Sequence, residues 1–322
     1  MNSGKRALIF GICGQDGSYL AHSLLKKGFH VSGTSRDSFS ANKTNLEKLK
    51  IEKEVEILST QISDFRSVLC TIKDTSPDHI FHMAGQTSVG LSFSMPFESI
   101  ESISISTLNI LECVRFIGKN IRIFIPCSSE CFGNNTQEDP ADETKVLNPL
   151  SPYAVAKCSS YWLSKSYRDS YGMHISVAFL SNHESPLRGS KFVMSKLFTE
   201  IKKIKENKIS KINFGDIDII RDWGWAPDYV EAIIDINNYE NPEEFIIGTG
   251  TSVSLRDIIR KTFLLIGIND YQNYITSKKV EIRPNDLRKS YLDPSKAFEK
   301  LNWKSKTDIN ELINKLYHNL LF

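Results

Sequence analysis

The stretch GICGQDGSYLAHSLLKKGFHVSGTSR, Gly11 to Arg36, decides the fold. Three glycines, Gly11, Gly14 and Gly17, follow an apolar run, ALIFG (Ala7 to Gly11), that reads as a strand. They precede an amphipathic run, Ser18 to Lys27, that reads as a helix, and a second short strand, His30 to Thr34. Strand, glycine turn, helix and strand are the start of a βαβ chain. In that setting the chain turns tightly after Gly11, and the helix is expected to begin near Gly17. Unpaired N–H groups and the helix dipole at such an N-terminus favour negative charge. The spacing therefore points to a dinucleotide whose pyrophosphate is lined by Gly11, Gly14 and Gly17.

The alternation continues outward from there. VEILS (Val55 to Ser59), HIFHMA (His79 to Ala84), RIFIPC (Arg122 to Cys127) and ISVAFL (Ile175 to Leu180) read as strands. Their near-continuous apolar character suits a sheet covered on both faces. Helical patterns lie between them at Asp64 to Asp74, Ser102 to Phe116 and Tyr153 to Ser170. The expectation is an α/β fold with a doubly wound parallel sheet. After about residue 180 the alternation becomes irregular. Residues 1–180 are expected to form mainly the dinucleotide-binding part, and 181–322 mainly a smaller substrate-facing lobe, with some exchange of strands and helices.

Composition narrows the partners. The chain has 322 residues, 40% hydrophobic and 24% charged, with a net charge of +2. That small charge gives no reason to expect nucleic acid or a membrane surface. No apolar run approaches the length of a membrane span, and the one near the N-terminus is too short for a signal peptide. The six cysteines show no CxxC pair and no neighbouring histidine cluster. Reduced thiols, no metal site and a cytoplasmic location are expected.

Two further patterns carry chemistry. SPYAVAK places Tyr153 and Lys157 four residues apart on one helical face. A lysine ammonium near the phenol favours phenolate, which can take a proton from a sugar hydroxyl while hydride leaves the same carbon. PCSSECFG runs out of the strand Arg122 to Cys127, so Ser128 and Glu130 fall at a strand's carboxyl end, where open α/β sheets bind ligands. A carboxylate beside the hydroxyl supplies a second acid/base, able to remove a carbon-bound proton and to protonate a departing hydroxyl.

With these motifs in order, the chain resembles the GDP-mannose 4,6-dehydratase family of the extended short-chain dehydrogenase/reductases. GQDGSYLA (Gly14 to Ala21), GQTSVGLSFSMP (Gly85 to Pro96), SSECFG, NPLSPYAVAK, YRDSYG (Tyr167 to Gly172), NHESPLRG (Asn182 to Gly189), RDWGWAPDYVEA (Arg221 to Ala232) and DPSKAFEKLNWK (Asp293 to Lys304) carry the resemblance. It implies a Rossmann-type sheet and a nicotinamide cofactor, NADP with NAD as the alternative. It also implies a sequence of steps: oxidation at C4 with Tyr153 taking the hydroxyl proton, removal of the C5 proton by Glu130, loss of water from C6, and return of hydride to C6. Ser128 takes the place of a threonine hydroxyl that holds the C4 oxygen, and Lys157 tunes Tyr153 and contacts the nicotinamide ribose.

The resemblance also implies binding residues. Gln15, Asp16, Arg36, Ser38, Asp64, His183 and Arg188 join the glycines, Tyr153 and Lys157 around the cofactor. Ser88, Asn182, Arg188, Lys196, Arg221 and Arg283 face a GDP-sugar, arginine suiting a diphosphate because its planar fork makes paired, charge-assisted bonds. The helices Ser102 to Phe116 and Tyr153 to Ser170 imply a dimer, and the segment Ser35 to Leu46 a contact to a further subunit, hence a homodimer or homotetramer.

Several positions depart from the family. Asp37 follows Arg36 where a second arginine is usual, Thr60-Gln61 replaces Gly-Asp, Leu187 replaces an arginine, and Ser88 stands where histidine is frequent. These changes spare the acid/base groups and touch cofactor and substrate contacts, as in a relative that takes a GDP-manno-heptose in place of GDP-mannose. A nucleotide-sugar reductase or epimerase, which needs Tyr153 and Lys157 but not Glu130, and an inactive nucleotide-binding relative remain the alternative readings.

Overall fold

The computed structural model describes residues 4–277 and 285–320. Its strands, in chain order, are β1 (Arg6–Phe10), β2 (His30–Ser35), β3 (Glu56–Ser59), β4 (His79–His82), β5 (Arg122–Ser128), β6 (Ile175–Leu180), β7 (Asn182–Glu184), β8 (Ile212–Phe214), β9 (Ile220–Trp225), β10 (Glu244–Ile247), β11 (Ser252–Ser254) and β12 (Ile275–Ser277). Seven of them form one parallel sheet in the order β10-β6-β5-β4-β1-β2-β3. The order reverses direction between β1 and β4, the point at which such sheets open a ligand crevice. Leu8, Ile9, Phe10, Ile80, Phe81, Ile123 and Phe124 are all but fully buried, because helices cover both faces.

The six strands read from the sequence are present within one residue, except that β4 ends at His82, two residues short of Ala84. The first helix runs Gln15–Lys26 with Gly14 as its N-cap, so it begins two residues before Gly17. The helix expected over Ser102 to Phe116 opens with a wider π-type turn, Glu101–Ile105, before the regular helix Ser106–Ile117. Two glycines explain the opening turn. Gly11 has φ +86°, and a Cβ there would lie 2.8 Å from the backbone of Ala84. A Cβ on Gly17 would lie 2.3 Å from the Gly11 carbonyl oxygen, so Gly17 seats the helix hard against the turn.

Beyond β6 the chain does two things. The helix Ala226–Asn238 and β10 return to the large sheet, where Tyr229, Val230, Ile233 and Phe245 join its core. The rest builds a separate apolar cluster from Met194, Leu197, Phe198, Ile201, Trp223, Ile258, Phe263, Leu312 and Leu316. A three-stranded sheet, β11-β9-β7, sits beside it, with β7 continuing almost directly from β6. Two residues after β5, Glu130 is thereby placed within reach of β9.

Candidate active site

Ser128 is the last residue of β5 and pairs in register with Leu180 of β6. Its hydroxyl accepts the Glu130 N–H at 3.3 Å and caps the short turn Ser129–Phe132 that carries Glu130. The helix Pro152–Tyr171 faces this turn. Ser151 caps it, Pro152 pre-sets its first φ, and its first two turns present Tyr153 and Lys157, both buried. The four expected acid/base groups therefore meet at the carboxyl end of β5.

The electrostatics differ from the simple pairing of Lys157 with Tyr153. Burial pushes the Tyr153 phenol well above its ordinary value, a hydrogen bond to Ser128 pulls it back, and the Glu130 charge pushes it up again. The Lys157 ammonium donates to the Pro126 carbonyl at 2.8 Å and lies 5.9 Å from the Tyr153 ring centre. Burial lowers the Lys157 pKa. In the protein alone, Tyr153 is a phenol.

A second charged cluster lies where the first helix meets β7. Gln15 donates to the His183 carbonyl and to Asp16, and accepts from Ser185, so the glycine turn and the NHES segment are tied together. The His183 Nδ1 lies 2.7 Å from the Ser181 carbonyl, and its Nε2 3.1 Å from the Asp16 carboxylate. Both partners are acceptors, so the site favours a proton on each ring nitrogen and the cationic form of His183. Burial alone would lower the His183 pKa, but Asp16 raises it further than that, and the net shift is upward. Burial likewise opposes ionisation of Asp16, yet His183, Arg188 and Gln15 hold its carboxyl far below the usual range. Next to this pair, Glu184 and Arg188 approach to 3.7 Å, and among the described residues Glu184 Oε2 and Arg188 Nε have no hydrogen-bond partner. Burial raises the Glu184 pKa. The Arg188 guanidinium stacks 3.8 Å from the centre of the Phe192 ring.

The remaining expected residues scatter in role. Arg36 is largely exposed and pairs with Glu98 at 3.5 Å. Asp37 turns its carboxylate into its own loop, accepting from the Phe39 N–H and the Ser40 hydroxyl. The Ser38 hydroxyl bonds Ser59 at the end of β3. Asp64 caps the helix Phe65–Thr75 by accepting the Ser67 N–H at 2.6 Å. Ser88 caps the helix Val89–Ser94, whose Val89 packs beside Tyr153. Asn182 begins β7, half-buried. Lys196 sits in the C-terminal lobe, donating to the Asn213 carbonyl at 2.6 Å. Arg221 is buried and lies 3.6 Å from Glu130 and 3.8 Å from Asp286. Arg283 falls outside the described residues.

Three groups here were not singled out from the sequence. Glu184 stood inside the NHESPLRG block, next to His183, and its neighbours were the signal. Asp222, beside Arg221, is fully buried and accepts the Thr249 and Gly250 N–H groups and the Ser181 hydroxyl. Burial pushes its carboxyl up to about 6. Asp286 had no local signal, because its partner Arg221 lies on a distant strand.

The residues fit a dinucleotide. A cavity of 340 Å³ lined by Cys13, Gly14, Ser35, Asn42 and Asn45 opens at the carboxyl ends of β1 and β2. The N-terminus of the first helix, capped by Gly14 without a side-chain bond, lies at its wall, and Arg188, whose Nε has no hydrogen bond among the described residues, lies in the adjoining cluster.

Comparison with known proteins agrees with this geometry. The family model described as GDP-mannose 4,6 dehydratase matches residues 8–316. GDP-mannose 4,6 dehydratase 1 of Arabidopsis thaliana is 33% identical over 322 residues, covering 97% of this chain and 88% of that protein. Among solved structures, dTDP-glucose 4,6-dehydratase of Bacillus anthracis in complex with NAD is 20% identical with a TM-score of 0.83, covering 98% of this chain and 97% of that one. A Pseudomonas aeruginosa structure complexed with NADPH is 19% identical with a TM-score of 0.79, covering 98% and 99%. The two structures share the fold, and the match of model and relative along nearly the whole length shows that the chain belongs to the GDP-mannose 4,6-dehydratase family.

Proposed function

We propose that this enzyme is a GDP-sugar 4,6-dehydratase, a hydro-lyase that turns GDP-mannose or a GDP-manno-heptose into the 4-keto-6-deoxy sugar nucleotide. The observation that carries this reading is the meeting of Ser128, Glu130 and Tyr153 at the end of β5. A reductase or epimerase needs a hydroxyl and a tyrosine there; the added carboxylate is what elimination requires.

A bound nicotinamide dinucleotide supplies the hydride acceptor for C4, the hydride donor for C6, and a positive charge in its oxidised form. The glycine turn, Gln15, Asp16, Arg36, Ser38, His183, Arg188 and Lys157 are proposed to hold it. Asp64, which caps its own helix, contributes there through the position of that helix. Tyr153 accepts the C4 hydroxyl proton after losing its own to solvent, and Ser128, in hydrogen-bond reach, steadies the oxygen. Glu130 takes the C5 proton, which the C4 ketone acidifies, and returns it to the C6 hydroxyl as water leaves; the hydride delivered to C6 is matched by a proton to C5, which replaces on balance the one taken from the C4 hydroxyl. Lys157, anchored on the Pro126 carbonyl, holds the ribose side of the cleft. Asn182, Ser88, Lys196, Arg188, Arg221 and Arg283 are proposed for the GDP-sugar side.

NADP is favoured over NAD because the Asp37 carboxylate is occupied within its own loop and Arg36 is left exposed beside the cavity. A homodimer or homotetramer is favoured because Phe116, Val155, Trp162 and Tyr171 are exposed on the two helices expected to pair, and Phe39 on the loop expected to reach a neighbour. Tighter binding of NAD by calorimetry, or the mass of one chain in light scattering, would overturn these two proposals.

The central test is Glu130→Gln, which keeps shape and removes the ionisable group. The expected outcome is retained GDP-sugar binding with water loss reduced about 100- to 10,000-fold, the usual range for an acid/base group. Wild-type rates of dehydration in this variant, followed by mass analysis of the product, would refute the assignment.

A further inference from the structure

Two cysteines flank the proposed acid/base groups. Cys131 follows Glu130 in the turn Ser129–Phe132, and Cys158 follows Lys157 in the helix Pro152–Tyr171. Neither takes part in the proposed chemistry. We propose that Cys131 and Cys158 are a thiol pair that hydrogen peroxide closes to a disulfide, disabling the site reversibly. The loss of turnover rests on the reading of Glu130, Tyr153 and Lys157 as the reacting groups; the formation of the bond does not.

Placement carries the inference. Side chains on a helix lean toward its N-terminus, so Cys158 covers the turn that begins at Ala154. Cys131 meets it there. Its thiol donates to the Ala154 carbonyl at 3.9 Å, and the Cys158 thiol donates to the Cys131 carbonyl at 3.9 Å. The two sulfurs also hydrogen-bond each other. A disulfide needs the two side chains to point at one another, and these do. Cys127, a third thiol nearby, is turned to the Lys157 carbonyl at 3.4 Å.

The two thiols differ as an attacking and a resolving sulfur should. Cys158 is 7% exposed, and Cys131 is fully buried. The bond from Cys131 lowers the Cys158 pKa, whereas burial raises that of Cys131. Cys158 is thus the thiol that meets a small oxidant as thiolate, and Cys131 the one that resolves it. The Cys158 thiolate attacks one peroxide oxygen and the O–O bond breaks. A sulfenic acid forms, and the departing hydroxide takes up the proton that the thiol lost. The Cys131 sulfur then attacks the Cys158 sulfur, and the hydroxyl leaves with the Cys131 proton as a second water. Two electrons pass from the sulfurs to the peroxide. The new bond, about 2.05 Å long, pulls the turn against the helix. Glu130 on the turn then shifts relative to Tyr153 and Lys157 on the helix.

The experiment treats the full-length protein with hydrogen peroxide, blocks the remaining thiols under denaturing conditions and maps disulfides by mass spectrometry. A Cys131–Cys158 link is expected. Turnover of GDP-mannose falls in step with it, by about 100-fold when the link is complete, the usual cost of misplacing reacting groups by about 1 Å. Dithiothreitol restores turnover. Cys158→Ala keeps its basal turnover and resists the same dose, and in Cys131→Ala oxidation stops at a Cys158 sulfenic acid that dimedone labels. Both thiols still free at a dose that oxidises the exposed Cys70 would overturn the inference. So would a link from either to Cys127, a complete link with turnover intact, or equal inactivation of Cys158→Ala. If that variant does not fold, the wild-type map set against wild-type turnover decides alone. Reduced wild-type protein that releases no water from GDP-mannose or a GDP-manno-heptose sinks the dehydratase reading and leaves the link to be judged by the map; an active dehydratase in which no link forms sinks this inference alone.

Discussion

The cleft has two charged walls, and they are built on opposite plans. Where the first helix meets β7, charges are paired: Asp16 with His183 at 3.1 Å, and Glu184 with Arg188 at 3.7 Å. At the end of β5, two of the groups meet neutral partners instead. Tyr153 is a phenol hydrogen-bonded to Ser128 and Lys157 donates to the Pro126 carbonyl, while Glu130 lies 3.6 Å from Arg221. The physical difference is what each wall is asked to do. A group that must present a constant charge gains from a close counter-ion, which widens the gap between its protonation states. A group that must change protonation during a reaction is hindered by the same counter-ion. The wall of close ion pairs suits holding an anionic cofactor, and the neutral partners of Tyr153 suit moving a proton.

The largest effect that could break this contrast is expected at Tyr153. Tyr153→Phe removes the exchangeable proton and leaves the ring in its pocket. The C4 oxidation should fall by about 100- to 10,000-fold, with no reduced nicotinamide at any stage, while GDP-sugar binding is kept. Stopped-flow absorbance with the variant checks this. Oxidation at the wild-type rate would mean that another group takes the hydroxyl proton, and the division between walls would fail.

A smaller effect sharpens the other side. Gly17→Ala puts a Cβ 2.3 Å from the Gly11 carbonyl oxygen, so the first helix must shift from the turn. Overpacking of this kind costs about 1–3 kcal/mol. Because the helix carries Gln15 and Asp16, the shift also loosens the ties to Ser185 and His183. Thermal melts should show lowered stability and calorimetry weakened dinucleotide binding. Unchanged affinity would show that the glycine matters for packing alone.

The smallest effect is a change of slope with pH. The His183 pKa is raised in the folded protein, so its contribution to stability is fully present below the unfolded value of about 6.5 and is lost as pH rises through the folded value. The Asp16 pKa is lowered, so its contribution is present above about 3.9 and lost only in strong acid. The pair is therefore worth most between those limits. His183→Gln should lower the melting temperature more at about pH 6 than at about pH 9. An equal loss at both would show that His183 is not a cation in the folded state.

Much of the fold was legible along the chain, for reasons that are local. Parallel strands buried on both faces are apolar without a break, and the six runs from Ala7 to Leu180 stood out on that account. The same holds for Ser128, Tyr153 and Lys157, which strand-end position and helical spacing mark without knowledge of distant residues. β10 was not legible. Its run Glu244–Ile247 is short, and it joins the large sheet only because the helix Ala226–Asn238 carries the chain back across. The Asp16–His183 contact was hidden for a like reason: β7 follows β6 and so comes to rest over the start of the first helix. The expected Lys157–Tyr153 pairing was altered by burial, a property of the whole fold. The carbonyl of Pro126 claims the ammonium, and desolvation governs the phenol.

By itself, then, the sequence determined the doubly wound sheet, the glycine turn and the set of groups at the end of β5. Periodicity, turn chemistry and helical spacing are short-range, and each is written in a few consecutive residues. Only the tertiary structure decided which charges meet. Coulomb attraction and desolvation depend on separation in space, and the spatial neighbours of Glu130 and Asp16 are Arg221 and His183, brought from β9 and β7 by the way the second half of the chain returns to the sheet.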